Sequence, residues 1–290
     1  MDPKKTRGIR RGVSLYSYSG EYGVTMALED MFKDIRDLGC DGLEILANAH
    51  VPGYPKPTGA WVAEWHRLIR KYGLRPVEYG HWIDSRRYPG RELTTEESVA
   101  GLIVDIKLAA KLGFTVMRTK MGVISDDLDP VKDWREIIRG ALPTAKRYGV
   151  VMCPEIHNPT LLDSRMVREY VDFIRETKTK HFALNIDFGV MMHRTWRFPG
   201  MSHDVVMKYS PVSDLKPLLP YVAVCHAKFY EVDDDFNETY IDYPAILELM
   251  KKERWSGYLL SEYEGLKDQP GRASDQLRRQ HVLMKRVLGR

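Results

Sequence analysis

One apolar run near the middle of the chain decides the fold: Val150-Val151-Met152-Cys153-Pro154-Glu155-Ile156-His157. It predicts a short buried strand that ends in a carboxylate and an imidazole. Because residues i and i+2 of a strand point to the same face, the side chains of Glu155 and His157 are expected to lie together. In parallel α/β barrels, the functional groups gather at the carboxyl ends of the strands, which is where this pair falls.

The same kind of unit recurs along the chain: a β-rich run, a loop, an amphipathic helical run and often a glycine. Strands are predicted at residues 12–18, 42–46, 74–81, 115–120, 150–157, 182–188, 222–229 and 257–263. Helices are predicted at residues 26–38, 60–72, 94–112, 134–148, 164–177, 213–219, 244–253 and 274–288. Alternating strands and helices favour a parallel sheet.

Eight such units in 290 residues predict a closed (β/α)8 TIM barrel. No G-x-G-x-x-G motif follows the first strand, which argues against a Rossmann dinucleotide domain. We expect a single barrel domain over residues 12–290, preceded by a flexible tail over residues 1–11. That tail holds one acidic residue, Asp2, and five basic ones: Lys4, Lys5, Arg7, Arg10 and Arg11.

Composition excludes several classes of function. The net charge is +4 and the tail accounts for most of it, so the near-neutral body lacks the basic surface that nucleic acid would need. No apolar run approaches about 18 residues, and the N-terminus has no apolar signal region, so neither a membrane helix nor secretion is expected. The cysteines Cys40, Cys153 and Cys225 are widely spaced, which favours buried thiols in a reducing, cytoplasmic compartment.

Three later strands also end in residues able to bind a metal. Asp187 ends the sixth strand, His226 lies near the end of the seventh, and Glu262 lies near the end of the eighth. Together with Glu155 they form a set of three carboxylates and one imidazole, without a thiolate. Such a set suits Mn²⁺, Mg²⁺, Co²⁺ or Zn²⁺ bound for chemistry rather than for structure.

Each of these residues, taken alone, also has a structural explanation. A strand-end Asp often caps the next helix, a strand-end His is often hydrogen-bonded in the core, and a Glu often pairs with a cation at the rim. The metal-site prediction therefore depends on the combination across four consecutive strands.

The order Glu, Asp, His, Glu at the ends of strands five to eight resembles the sugar phosphate isomerase/epimerase superfamily, which includes xylose isomerase-like and endonuclease IV-like barrels. Within it, three strings look most like the catalytic α subunits of bacterial C-glycoside deglycosidases: PEIHNP at 154–159, DFGVMMHR at 187–194 and HAKFYE at 226–231. The resemblance implies that one divalent ion, commonly Mn²⁺, binds to Glu155, Asp187, His226 and Glu262. It also implies a smaller β subunit in a hetero-oligomer.

Two other branches of the superfamily fit less well. The ketose 3-epimerase pattern has a substrate-binding His three residues after the strand-six Asp, where this chain has Val190; the nearest His is His193. Endonuclease IV-like barrels hold three zinc ions with more His ligands, and the body of this chain offers no basic groove for DNA.

For the epimerases and deglycosidases, the resemblance implies a shared chemistry, the removal of a proton next to a carbonyl. In a deglycosidase the substrate is a 3-oxo-C-glycoside, and loss of its C2 proton permits β-elimination of the aglycone. His157 is then the expected base, unless it only hydrogen-bonds Glu155 or the loop backbone. The alternatives are a sugar (ketose) isomerase/epimerase working through an enediolate, in which Glu155 and Glu262 also move the proton, and a non-catalytic sugar-binding barrel.

Further residues are predicted to contact the sugar or glycoside substrate. His81, His193 and Lys228 are the candidates, although His81 could be a packed imidazole and Lys228 could pair with an acid. Arg118 and Lys120, at the end of strand four, are expected to pair with barrel acids. The long segment 190–211, which contains Arg194, Trp196, Arg197 and Phe198, is interpreted as a lid, a subunit interface or a surface loop.

Overall fold

A computed structural model describes residues 8–83, 89–121, 131–193, 208–267 and 269–289. The strands are β1 (Ile9–Ser14), β2 (Gly42–Leu46), β3 (Arg75–Ile83), β4 (Val116–Met121), β5 (Val151–Cys153), β6 (Glu155–Ile156), β7 (Leu184–Asp187), β8 (Val222–Phe229) and β9 (Gly257–Tyr263). The α-helices are α1 (Leu28–Asp37), α2 (Ala47–His50), α3 (Gly59–Tyr72), α4 (Thr95–Leu112), α5 (Trp134–Tyr148), α6 (Arg165–Thr177), α7 (Tyr243–Lys252) and α8 (Arg272–Leu288). Three segments form 3₁₀ helices: Leu15–Tyr18, Phe188–Met191 and Val212–Tyr221.

The strands pair in parallel in the order β5-β4-β3-β2-β1-β9-β8-β7-β6. The predicted fifth strand is divided at Pro154, which has no N–H to contribute to the ladder. Its first half, β5, pairs with β4, and its second half, β6, pairs with β7. The carbonyl of Pro154 accepts a bond from Asn185 N at 3.1 Å, and Met152 O accepts one from Ala183 N at 3.0 Å. These bonds close the sheet, so the predicted (β/α)8 barrel is confirmed.

The first strand begins earlier than predicted. Residues 9–12 pair with residues 257–260 of β9, so residues 9–11 belong to the barrel and not to the tail. The predicted end of this strand is also wrong, because Ser14 Oγ accepts a bond from Tyr16 N at 3.3 Å and the chain turns into a 3₁₀ helix. Residues 1–7 lie outside the described residues.

Local signals predicted several helix ends well. Gly73, Gly113 and Gly149 end α3, α4 and α5 with φ values of 61°, 92° and 70°, a region that favours glycine. At the start of α4, Thr94 Oγ1 accepts from Glu97 N at 3.2 Å, and Glu97 Oε2 accepts from Thr94 N at 2.9 Å. This reciprocal pair is a capping box, and it confirms the predicted helix start.

The apolar core lies mostly between the strands and the surrounding helices, where Trp65 packs near Phe32 and Phe114. A second, smaller apolar cluster brings together side chains from several strands: Val77, Val116, Cys153, Val224, Tyr258 and Leu260. All three cysteines are buried and free, as predicted. No helix within the described ranges is long and apolar enough to cross a lipid bilayer.

Candidate metal centre at the barrel mouth

The structure brings the four predicted ligands together at the carboxyl ends of their strands. Each residue offers one ligand atom, and these atoms lie within 4.8 Å of one another in Glu155, Asp187, His226 and Glu262. His226 Nδ1 is 2.7 Å from Glu155 Oε1 and 3.6 Å from Glu262 Oε2. Parallel pairing places Asp187 beside His226 on the neighbouring strand.

The backbone orients the Asp187 carboxylate. The chain turns into a 3₁₀ helix directly after β7, and Gly189 N donates to Asp187 Oδ1 at 2.6 Å. A Cβ atom at Gly189 would lie 2.8 Å from that oxygen and 3.0 Å from Lys228 Cδ, so only glycine fits without a shift. The turn therefore holds one oxygen of Asp187 and leaves the other for a different partner.

The side chains present fit a divalent cation. Three carboxylates and one imidazole are a donor set typical of such ions. Asp187 Oδ2 and Glu262 Oε2 are buried, and both lie near one ammonium group, Lys228 Nζ, at 2.9 and 3.4 Å. Because buried carboxylates are costly without compensating positive charge, a divalent cation held by these oxygens would lower that cost further.

The site is strongly charged and lies away from water. Burial alone would lower the pKa of His226, but four surrounding carboxylates raise it well above its usual value. Burial tends to raise the pKa of Glu262, yet the ammonium of Lys228 and the imidazole of His226 lower it to about 2. For Asp187, burial is the larger effect and its pKa is raised. The carboxylates and cations of the mouth therefore depend on one another for their charge states.

Two further carboxylates, which the sequence analysis missed, lie deeper in the barrel. Glu44 on β2 and Glu78 on β3 are fully buried, and their Oε2 atoms lie 3.2 and 3.1 Å from His226 Nε2. Glu44 stands in the otherwise apolar strand GLEIL, and that isolated charge was a signal of an interior role.

Arg118 pairs with barrel acids, as predicted. Its Nη1 donates to Glu155 Oε2 at 3.2 Å, and its Nε lies 4.0 Å from Glu44 Oε1. The guanidinium is buried, and its positive charge, after the opposing effect of burial, lowers the pKa of Glu155 well below the usual range.

Lys228 is also buried and forms ion pairs, as the alternative interpretation expected. Its Nζ lies 2.9 Å from Asp187 Oδ2, 3.4 Å from Glu262 Oε2 and 3.6 Å from Glu264 Oε2. These contacts place an ammonium beside two of the candidate metal ligands. Contact between Lys228 and a substrate stays a prediction.

His157 lies at the edge of the cluster, with its side chain 48% exposed. Its Nδ1 is 2.6 Å from the carbonyl oxygen of Asn158, and its Nε2 is 2.9 Å from Lys228 Nζ and 4.0 Å from Asp187 Oδ2. Since a carbonyl only accepts, Nδ1 carries the proton, and Nε2 presents its lone pair toward the cluster. The expected backbone hydrogen bond of His157 is therefore present, and it leaves Nε2 unprotonated, as the acceptor for Lys228 Nζ.

The remaining predicted residues are placed less fully. The backbone of His81 pairs with Thr119 in β4, but its side chain lies outside what the structure describes, as does that of Lys120. His193 is exposed, and its N–H donates to Tyr240 O at 3.0 Å. The predicted loop residues Arg194, Trp196, Arg197 and Phe198 lie outside the described residues.

Solved structures with this barrel architecture share the overall fold. A sugar phosphate isomerase/epimerase from Parabacteroides distasonis superposes with a TM-score of 0.65 at 15% identity, covering 99% of this chain and 97% of the other. A D-psicose 3-epimerase from Clostridium cellulolyticum superposes with a TM-score of 0.66 at 14% identity, covering 96% and 99%. At such identities the likeness shows the fold alone.

Curated relatives are similar over nearly the whole chain. The C-glycoside deglycosidase alpha subunit of Arthrobacter globiformis is 25% identical, over 97% of this chain and 93% of its own length. The 3'-dehydrocarminate deglycosidase alpha subunit of a Microbacterium species is 23% identical, over 97% and 95%. The family model for the xylose isomerase-like TIM barrel matches residues 32–283. This chain therefore belongs to the xylose isomerase-like TIM barrel family.

Proposed function

We propose that this chain is the catalytic subunit of a divalent-metal-dependent C-glycoside deglycosidase. It would cleave the C–C bond between the sugar and the aglycone of a 3-oxo-C-glycoside. Two relatives that align over nearly the whole chain are named as alpha subunits of deglycosidases, which supports this class of substrate. The same names support a smaller β subunit as partner in a hetero-oligomer. We further propose a cytoplasmic location, in keeping with the free, buried cysteines.

In this proposal Glu155, Asp187, His226 and Glu262 hold one ion, with Mn²⁺ preferred over Mg²⁺, Co²⁺ or Zn²⁺. When bound, the ion supplies Lewis acidity to adjacent oxygens of the sugar. Lys228, already paired with Asp187 and Glu262, would donate a hydrogen bond to a substrate oxygen. His81 and His193 are the other proposed substrate contacts.

The bond cleavage is an elimination that begins with a proton transfer. The 3-oxo group acidifies the C2–H bond, and His157 Nε2 takes that proton as the general base. The electrons of the C2–H bond form a C1=C2 double bond while the bond from C1 to the aglycone carbon breaks. The aglycone carbon takes up a proton returned by the imidazolium of His157, so the products are the free aglycone and an unsaturated 3-oxo sugar.

One observation carries this proposal: His157 Nε2 lies 4.0 Å from Asp187 Oδ2, one of the four candidate ligands, while Nδ1 is bound to the Asn158 carbonyl. A general base needs an unprotonated nitrogen, and Nε2 is unprotonated because it accepts from Lys228 Nζ at 2.9 Å. In the proposed reaction the substrate replaces this contact, and proton transfer by a placed side chain contributes roughly 10²–10⁴-fold to a rate. His157 combines this orientation with a side chain that is 48% exposed.

A sugar isomerase or epimerase is the second candidate. The carboxylates of Glu155 and Glu262 both approach His226 Nδ1, at 2.7 and 3.6 Å, and come from strands on either side of β8 in the sheet order. Two carboxylates at one centre would suit proton removal on one face of a ketose and return on the other. A non-catalytic sugar-binding barrel is the third candidate. If the protein binds a metal and converts a substrate, this third candidate is excluded and the first two remain.

The metal is tested first, with protein stripped by EDTA and then titrated with Mn²⁺. We expect one equivalent to bind and to raise the unfolding temperature, because a ligand at 100 times its Kd stabilises the folded state by about 2.7 kcal/mol. His226→Ala is the matched variant and should abolish both effects. Absence of binding by Mn²⁺, Mg²⁺, Co²⁺ and Zn²⁺ would contradict the enzymatic proposal.

The reaction is tested next by incubating the Mn²⁺-loaded chain with a 3-oxo-C-glucoside and, separately, with free ketoses. The chain is assayed alone and together with a deglycosidase β subunit. Release of the aglycone, measured by chromatography, supports the deglycosidase. A new ketose without aglycone release would favour the epimerase instead.

A further inference from the structure

The layer below the metal centre contains a pair of carboxylates that the proposed reaction does not use. Glu44 and Glu78 are fully buried, and both approach the same atom, His226 Nε2, at 3.2 and 3.1 Å. The opposite ring atom of His226, Nδ1, faces Glu155 and Glu262. The imidazole therefore bridges two carboxylate layers, one at the mouth and one beneath it.

Glu78 is held in place by Asn185. The Nδ2 atom of Asn185 lies 3.2 and 3.3 Å from the two oxygens of Glu78, while its Oδ1 accepts a bond from His226 N at 3.1 Å. One amide side chain thus fixes the carboxylate of Glu78 relative to the backbone of His226. This arrangement orients Glu78 toward the ring of His226.

We propose that Glu44 and Glu78 are positioning residues for His226. Glu78 accepts the hydrogen bond from Nε2, and the negative charge of Glu44, 3.2 Å from the same atom, favours a proton there. Together they fix the tautomer whose Nδ1 lone pair points to the proposed metal. Histidines that ligate metals usually donate their second N–H to a carboxylate or carbonyl, and this partner sets both the ring orientation and the basicity of the ligand. This assignment rests on the metal site proposed above.

The same atoms could instead hold a second cation, since ligand atoms of Glu44, Glu78 and His226 also converge within 4.8 Å. Among the described residues, neither oxygen of Glu44 accepts a hydrogen bond, although Oε2 lies 3.2 Å from His226 Nε2. Against a cation, Asn185 already donates to Glu78, and His226 would have to bind metals through both of its nitrogens. The space is also fully buried, so water could not readily complete a coordination shell. The geometry therefore favours the positioning role.

Substitution to glutamine tests the assignment with little change in shape. We expect Glu78→Gln to weaken Mn²⁺ binding on the order of tenfold, and the double variant Glu44→Gln/Glu78→Gln to approach about 100-fold. Affinity and stoichiometry are measured together by the electron paramagnetic resonance signal of free Mn²⁺. Asp105→Asn is the matched control, because Asp105 is a buried carboxylate that binds Tyr54 and Tyr79 away from the cluster. It should leave the affinity for Mn²⁺ unchanged.

A second measurement separates positioning from a general loss of structure. In the Zn²⁺-loaded protein we expect a slowly exchanging Nε2 proton on His226, visible by NMR, which broadens or shifts in Glu78→Gln. Two bound equivalents of metal in the wild type, or wild-type affinity in the double variant, would overturn the positioning role and leave the mouth site intact. If the wild-type protein binds no metal, both the positioning role and the proposed metal site at the mouth would be overturned.

Discussion

Lys228 Nζ lies 2.9 Å from His157 Nε2, and it lies at the same distance from Asp187 Oδ2. Because an ammonium group has no lone pair, Lys228 donates, and the imidazole nitrogen must accept. One buried cation thus contacts both the proposed base and a proposed metal ligand. Substitutions on the two sides of this contact should therefore have different effects.

Removing the imidazole should stop the proton transfer and spare the metal. His157→Ala is expected to lower the rate of aglycone release by roughly 10²–10⁴-fold, the usual contribution of a placed general base. The affinity for Mn²⁺ should not change, because His157 is not one of the four converging ligands. Rate assays on Mn²⁺-loaded protein, with Mn²⁺ titrations of the same samples, check both points. Full activity in this variant would rule out His157 as the base.

Removing the cation should tighten metal binding. Two positive charges repel by about 4 kcal/mol at 4 Å in an effective dielectric of 20, so Lys228→Met is expected to raise the affinity for Mn²⁺ by about tenfold or more. Without metal, the same variant should lose about 3–5 kcal/mol of stability, because Asp187 and Glu262 lose a buried partner. Urea unfolding in EDTA measures this loss.

The control for that experiment is Lys251→Met, which removes an exposed lysine paired with exposed Glu248. Surface pairs of this kind contribute little, and neither metal affinity nor stability should change by much. Weaker Mn²⁺ binding in Lys228→Met would contradict the idea that the ammonium and the metal compete.

The turn after β7 should tolerate no side chain at Gly189. Gly189→Ala places a Cβ 2.8 Å from Asp187 Oδ1, so we expect a loss of about 1–3 kcal/mol in stability and weaker Mn²⁺ binding. Gly101→Ala is the control, because that glycine lies in α4 and no atom of the described residues comes within 4 Å of its Cβ position. It should stabilise the protein by about 0.5–1 kcal/mol. If the two variants had the same stability and the same affinity for Mn²⁺, the turn at Gly189 would not be required to orient the Asp187 carboxylate.

Acid should destabilise the protein through two buried histidines. Burial lowers the pKa of His50 to about 4, and burial also lowers the pKa of His281 well below its usual value. A depressed pKa means that the folded state binds the proton less readily than the unfolded chain. The contribution of the neutral histidines to the free energy of unfolding is therefore fully present above pH 6.5. It falls as the pH drops toward 4, by about 3 kcal/mol for His50 alone.

Urea unfolding of metal-free protein at several pH values measures this loss. His50→Gln cannot take up the proton, so its stability should depend less steeply on pH over the same range. If the wild type and His50→Gln lose stability in parallel between pH 6.5 and 4, His50 is not the group responsible.

Much of the barrel could be predicted from periodicity and end signals. The bounds of β2, β8, β9 and α5 match the predictions, because their apolar runs are bordered by glycine, charged residues or proline that end an element locally. The division at Pro154 and the start of β1 at Ile9 were not predicted, since both depend on which distant strand supplies the hydrogen bonds.

The two deeper carboxylates show where alternation along a strand fails. Leu43 pairs with Pro76 but Glu44 pairs with Glu78, so Val77 is an extra residue in β3 at an irregularity of the β2–β3 register. Such a bulge re-aims side chains, and here Val77 joins the apolar cluster of six strand residues while Glu78, its neighbour, contacts His226. Simple alternation would have placed these two residues on opposite faces.

By itself the sequence determined the eight strand positions of the barrel and their parallel direction, and it identified Glu155, Asp187, His226 and Glu262 as residues at the carboxyl ends of strands. Those features follow from local periodicity and from the geometry that all parallel barrels share. Only the tertiary structure decided that Nδ1 of His226 faces the mouth while Nε2 faces Glu44 and Glu78, and that Lys228 joins His157 to Asp187. These contacts arise between residues far apart in the chain, and they depend on strand register and a bulge rather than on any local pattern.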